Sequence, residues 1–64
     1  MKHNIGDLVY DEIKQRIGWI VGKENGPPPP LMERWIIEWS DGLNSTNTKT
    51  TIEYYKKSLK RKIK

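Results

Sequence analysis

Six basic side chains crowd the stretch 56–64 of this 64-residue chain: Lys56, Lys57, Lys60, Arg61, Lys62 and Lys64. Ammonium and guanidinium groups at that density suit phosphate oxygens, by charge and by hydrogen bonding. Tyr54 and Tyr55 stand directly before them. Aromatic rings beside a basic run can stack on unpaired bases while the cations hold the backbone, at about 1–3 kcal/mol per base. Residues 1–55 carry six basic and eight acidic side chains, a net −2, so the formal net charge of +4 arises wholly in the last segment. Such segregation points to an anionic partner, and nucleic acid is the one the sequence favours. The plain alternative is a solvated, solubilising segment.

A second group of residues carries a different chemistry. Tyr10, Trp19 and Trp35, with Tyr54 or Tyr55, are candidates for an aromatic rim that takes a cation by cation–π attraction, with Asp41 or Glu38 as an acidic neighbour. That would make the chain a protein- or peptide-interaction module, the alternative to nucleic-acid binding, for instance a reader or a phage protein acting on a host protein. The competing reading is that the tryptophans fill the core, because the chain has no Phe. Ile36, on the otherwise polar side of its strand, hints at a covered outer surface, as in a small oligomerising subunit.

Catalysis finds little support. There is no Cys, and no Ser has a usable His beside it. The glycines fall into neither phosphate-loop pattern. Carboxylate neighbours such as Asp11 and Glu12 need a sheltered cleft before they can do acid–base work. The expectation is a non-enzymatic protein with no cofactor and no metal. The lone His3, near a chain end, is expected in solvent. The absence of Cys rules out disulfides and is compatible with a reducing cytoplasm, the expected location. No apolar signal-peptide core and no apolar run of about 20 residues occurs, so no membrane partner is expected. At this length the chain reads as one domain, a monomer, that buries about 60% of its unfolded surface.

The elements that must position these groups read mostly as strands. In Arg34–Gly42, Trp35, Ile37 and Trp39 alternate with Arg34, Ile36 and Glu38, which puts the first three on one face of a strand. Asp41-Gly42 supplies the backbone of a tight hairpin. Leu8–Tyr10 and Ile17–Lys23 read as two earlier strands, with residues 11–16 a loop and Ile13 tucked back. Gly18 and Gly22 inside a strand predict a bend, a bulge or a close backbone approach. Pro27–Pro30 form a stiff polyproline loop between strands, rather than a ligand for aromatic grooves. Residues 43–50, polar and Thr-rich, fit an exposed return strand.

The last segment supports two readings. Thr50 and Glu53 fit a capping box, and Ile52, Tyr55, Leu59 and Ile63 recur at helical spacing, which allows a helix over about 51–63. Leu59, Arg61 and Ile63 also recur at strand spacing. A short helical turn over about 52–57 and a closing strand over about 58–63 is favoured, because four strands leave an edge that a fifth would close.

With these elements the chain resembles small SH3-like barrels of the Tudor, chromo-barrel and KOW kind. The resemblance lies in Ile5-Gly6-Asp7-Leu8-Val9, Ile17-Gly18-Trp19-Ile20-Val21, Trp35–Gly42 and Ser58–Ile63, taken as first, second, third and closing strands. The chain is also similar to small phage proteins with the same order of elements. It departs from the group in its tetraproline loop, its polar run 43–51 and its Tyr54-Tyr55 pair. The resemblance implies an all-β fold, a five-stranded antiparallel barrel with a helical turn before the last strand. It implies binding rather than catalysis: of methylated Lys or Arg in an aromatic cage for Tudor and chromo types, of RNA or protein for KOW types. Fold by itself does not fix function.

Overall fold

The computed structural model describes residues 3–26 and 32–63. They form four strands, β1 (Leu8–Asp11), β2 (Arg16–Gly26), β3 (Met32–Trp39) and β4 (Asn44–Thr48), then one helix, α1 (Lys49–Lys62). The strands make one antiparallel sheet in the order β1-β2-β3-β4. Pro27–Pro30 lie outside the described residues.

This corrects the expected fold. The sheet is open, with four strands and not five, and the chain is not an all-β SH3-like barrel. No helical turn followed by a closing strand occurs: residues 49–62 are one continuous helix. The physical reason lies in what the sheet lacks. One face carries Trp35, Ile37 and Trp39 and must be covered. Ile52 and Tyr55, three residues apart, put one side of a helix against that face. A closing strand would have protected an edge and left the face wet. Residues 49–62 are also rich in Lys and Arg, with Glu53 and Leu59 among them, and these types favour helix over strand. The helix cap is Thr48 rather than Thr50, and its side chain makes no capping hydrogen bond. Ile63 lies beyond the apolar stripe and is 75% exposed.

The alternation in β3 is borne out. Trp35, Ile37 and Trp39 are 4%, 0% and 1% exposed, and they form the core with Val9, Ile20 and Ile52. Burying an aliphatic side chain of this size contributes about 1.5–3 kcal/mol. Tyr55 packs against the cluster. Its ring meets Trp39 edge-on, with centroids 5.1 Å apart and planes at 88°. The turn after β3 also forms as expected. Gly42 takes φ +88°, and the Asp41 carboxylate accepts from the Leu43 N–H at 3.0 Å.

Both expectations for the glycines of β2 find a place. The register shifts between Ile20 and Gly22, the mark of a bulge beside Val21. Gly18 lies opposite Trp39, where the two strands approach too closely for a side chain. Ile13 is not tucked back but 81% exposed. The β1–β2 turn is instead held by Asp11, whose carboxylate accepts from the N–H groups of Ile13 and Lys14. Arg16 then ties both hairpin ends together, 2.8 Å from Asp41 and 3.6 Å from Asp11, with its guanidinium 4.4 Å from the Trp39 ring centroid.

The opposite face of the sheet is open. Leu8 pairs with Trp19 and Tyr10 with Ile17 across the β1–β2 ladder, so all four share this outer face. Leu8, Ile17, Trp19 and Val21 are each more than a third exposed. Ile36, opposite Thr46 in β4, joins them.

Candidate nucleic-acid interface

As a helix, the basic segment acquires sides. Positions 49, 53, 56, 57 and 60 recur at steps of three and four, so Lys49, Glu53, Lys56, Lys57 and Lys60 lie along one side of α1. It adjoins the side carrying Ile52 and Tyr55, which meets the sheet. Lys49 belongs to this row although it precedes the basic cluster. The signal for it was the helical spacing, readable only once the segment is taken as a helix.

Folding occupies some of the cations. Lys56 Nζ donates to Asp7 Oδ2 at 2.8 Å. Arg61 reaches Glu12 Oε1 and the Ser58 hydroxyl, each at 3.2 Å. Lys62 Nζ sits 4.7 Å from the centre of the Tyr10 ring. Asp7 precedes β1 and Glu12 follows it, so these ion pairs fasten the helix along that strand. Lys49, Lys57 and Lys60 are exposed and form no ion pair among the described residues. Lys64 lies outside the described residues.

The two tyrosines take separate roles. Tyr55 turns inward onto Trp39. Tyr54 stays at the surface, 38% exposed, with its hydroxyl donating to Glu12 Oε1 at 2.8 Å. That hydrogen bond raises the Tyr54 pKa above its usual value and lowers that of Glu12. Tyr54 alone of the pair keeps a ring at the surface for stacking. The proposed aromatic rim is not brought together. Trp35 is buried on the inner face, while Trp19 and Tyr10 belong to the outer face.

His3 is buried, at 8% exposure, where solvent was expected. Its ring meets Trp35 edge-on with centroids 5.0 Å apart, and its carbonyl accepts from Trp35 Nε1 at 3.3 Å. Beside it is a cavity of about 290 Å³ lined by His3, Glu53, Lys56, Lys57 and Lys60. Burial, and next the charge of Lys56, hold the His3 imidazole below its ordinary 6.5.

The Lys56 contact has a consequence for pH. The hydrogen bond from Lys56, and next that from the Asn4 N–H, lower the Asp7 pKa from its ordinary 3.8. A carboxylate with a depressed folded-state pKa stabilises the fold above its unfolded value, and that stability is lost as pH falls through the folded value. Thermal unfolding should therefore show a midpoint that drops as pH falls below about 4. Asp7→Asn should lower the midpoint at neutral pH and flatten the drop. An unchanged pH profile in the variant would sink this account.

Among the described residues no helix is long and apolar enough to cross a membrane. No known protein family, curated protein or solved structure matches the chain.

Proposed function

We propose that this protein is a small non-enzymatic module that binds nucleic acid through its phosphate backbone. The contact surface is the basic side of α1. One observation supports it above the others: Lys49, Lys57 and Lys60 share that side, exposed, with no ion-pair partner among the described residues. Lys56 and Arg61, in contrast, have structural duties and contribute less. With Tyr55 turned to the core, the binding is chiefly ionic and carries little base preference.

Phosphate contacts release counterions, so affinity falls with salt, by about 0.7 logarithmic units per tenfold salt for each contact to a single strand. Three lysines predict a slope of about −2 for a labelled single-stranded oligonucleotide followed by fluorescence anisotropy. Replacing Lys49, Lys57 and Lys60 together by Gln should bring the slope near zero. The variant should keep its fold, because the three side chains are exposed. A slope unchanged in the triple variant would move the surface elsewhere. Absence of binding to the wild-type chain at low salt would overturn the reading and turn attention to the apolar outer face of the sheet.

A further inference from the structure

The cavity beside His3 holds more than a basic surface requires. His3 is more than nine-tenths buried, yet neither ring nitrogen has a hydrogen-bond partner among the described residues. A buried polar group without a partner calls for an explanation, because leaving it unpaired costs about 1–3 kcal/mol. Edge-on packing against Trp35 supplies only apolar contact. His3 also lines the cavity, and because neither ring nitrogen has accessible surface, the ring must turn to bring one of them to a partner there. The cavity's other lining groups are Glu53, Lys56, Lys57 and Lys60.

The charges around the cavity define the partner. Lys56 is neutralised by Asp7 at 2.8 Å. Lys57 and Lys60 then oppose Glu53, which leaves one net positive charge with His3 neutral, the form its burial favours, and two once a bound dianion draws a proton onto the ring. A phosphate monoester carries about −1.5 to −2 at neutral pH and three acceptor oxygens. The imidazole offers one donor when neutral and two when protonated, and each ammonium three, so the lining meets such a group with several donors and a net positive charge. A backbone phosphodiester carries a single charge and an ester link on each side, and it matches less well. At about 290 Å³ the cavity is small, the size for a compact anionic group rather than a stretch of chain.

We infer that the cavity between His3 and the middle of α1 is a seat for a terminal phosphate, the monoester at the end of a nucleic-acid strand. This rests on the nucleic-acid reading above and adds to it a preference for phosphorylated ends. Lys57 and Lys60 hold the phosphate oxygens, and His3, with its ring turned toward the cavity, donates to them. Glu53 accepts from the phosphate O–H in the singly protonated form and opposes the dianion. The free phosphate ion shares this chemistry and is the other source of the ligand.

The experiment is a titration of the labelled full chain, with the His3 ring resonances and the amides of α1 as readouts. The probes are a 5′-phosphorylated oligonucleotide, the same strand with a 5′-hydroxyl, and inorganic phosphate. The expected result is binding of the phosphorylated strand about tenfold tighter than the hydroxyl strand, the worth of one or two charge-assisted contacts. The His3 ring should move only with the phosphate-bearing probes. Lys57→Gln and Lys60→Gln, both at exposed positions, should each abolish most of that preference, and Glu53→Gln should strengthen it. Equal binding of both strands with a silent His3 overturns the terminal-phosphate seat and leaves the nucleic-acid reading standing. Inorganic phosphate moving His3, with neither strand binding, supports the phosphate site, makes the free ion its ligand and overturns the nucleic-acid reading. Silence with all three probes overturns both.

Discussion

Gly18→Ala should lower the thermal midpoint by about 10–20 °C, a large effect for a single methyl group. A Cβ at this position would stand 2.7 Å from Trp39 Cε3, 2.9 Å from the Glu38 carbonyl oxygen and 2.9 Å from Ile37 Cγ2. One of the three is backbone. It can retreat only by loosening the Gly18–Trp39 pairing in the centre of the sheet. Overpacking of this kind costs about 1–3 kcal/mol. A chain of this length has a total stability of only about 3–10 kcal/mol, so the fraction lost is large. Gly22→Ala is the control. It lies in the same strand, and its added Cβ would meet only Ile36 Cδ1, at an ordinary 3.5 Å. Circular dichroism melts of the two variants decide the matter. Equal midpoints would mean that the β2–β3 approach is not tight at Gly18.

Trp39→Ala should leave a chain that is mostly unfolded at room temperature. Trp39 is 1% exposed and touches several elements at once. Its ring meets Tyr55 of the helix, lies under the Arg16 guanidinium and fills the space left by Gly18. Its Nε1 donates to the Ser45 hydroxyl in β4 at 2.8 Å. Removing a buried Trp costs about 3–5 kcal/mol through lost burial and a residual cavity, comparable with the whole stability of so small a domain. Trp39→Phe keeps the apolar body, loses the hydrogen bond and should remain folded, weakened by about 1–2 kcal/mol. A cooperative melt for Trp39→Ala near the wild-type midpoint would show that the helix docks without this ring. The two sites should also be coupled. The smaller ring of Trp39→Phe gives the methyl of Gly18→Ala room, so the double variant should be less damaged than the sum of the single changes.

Both residues were legible in the sequence to different degrees, and the difference is physical. The period of two in Trp35, Ile37 and Trp39 is a local signal, and one buried face is enough to fix it. Gly18 announced a special position, but only the partner strand determines that the special feature is a close approach. Residues 49–63 carried both periods at once: Leu59, Arg61 and Ile63 at two, Ile52, Tyr55 and Leu59 at three and four. The choice between them was made by the apolar face waiting to be covered, a property of the folded sheet. The basic cluster itself was plain from composition. Which of its members remain available was not, since Lys56 and Arg61 each meet a carboxylate 49 positions away in sequence. His3 was illegible for the same reason, its burial being set by Trp35, 32 positions on.

The covering helix is also made after the sheet that it covers. During synthesis β1 to β4 leave the ribosome before Ile52 and Tyr55 do, so the three core residues of β3 meet water or a chaperone until residues 49–62 follow. A sheet with one bare apolar face has little to hold it together, and such faces on growing chains are where misassembly starts. The domain is therefore expected to fold after its helix is released and not hairpin by hairpin. A chain truncated before Lys49 would be one that chaperones hold and proteases cut.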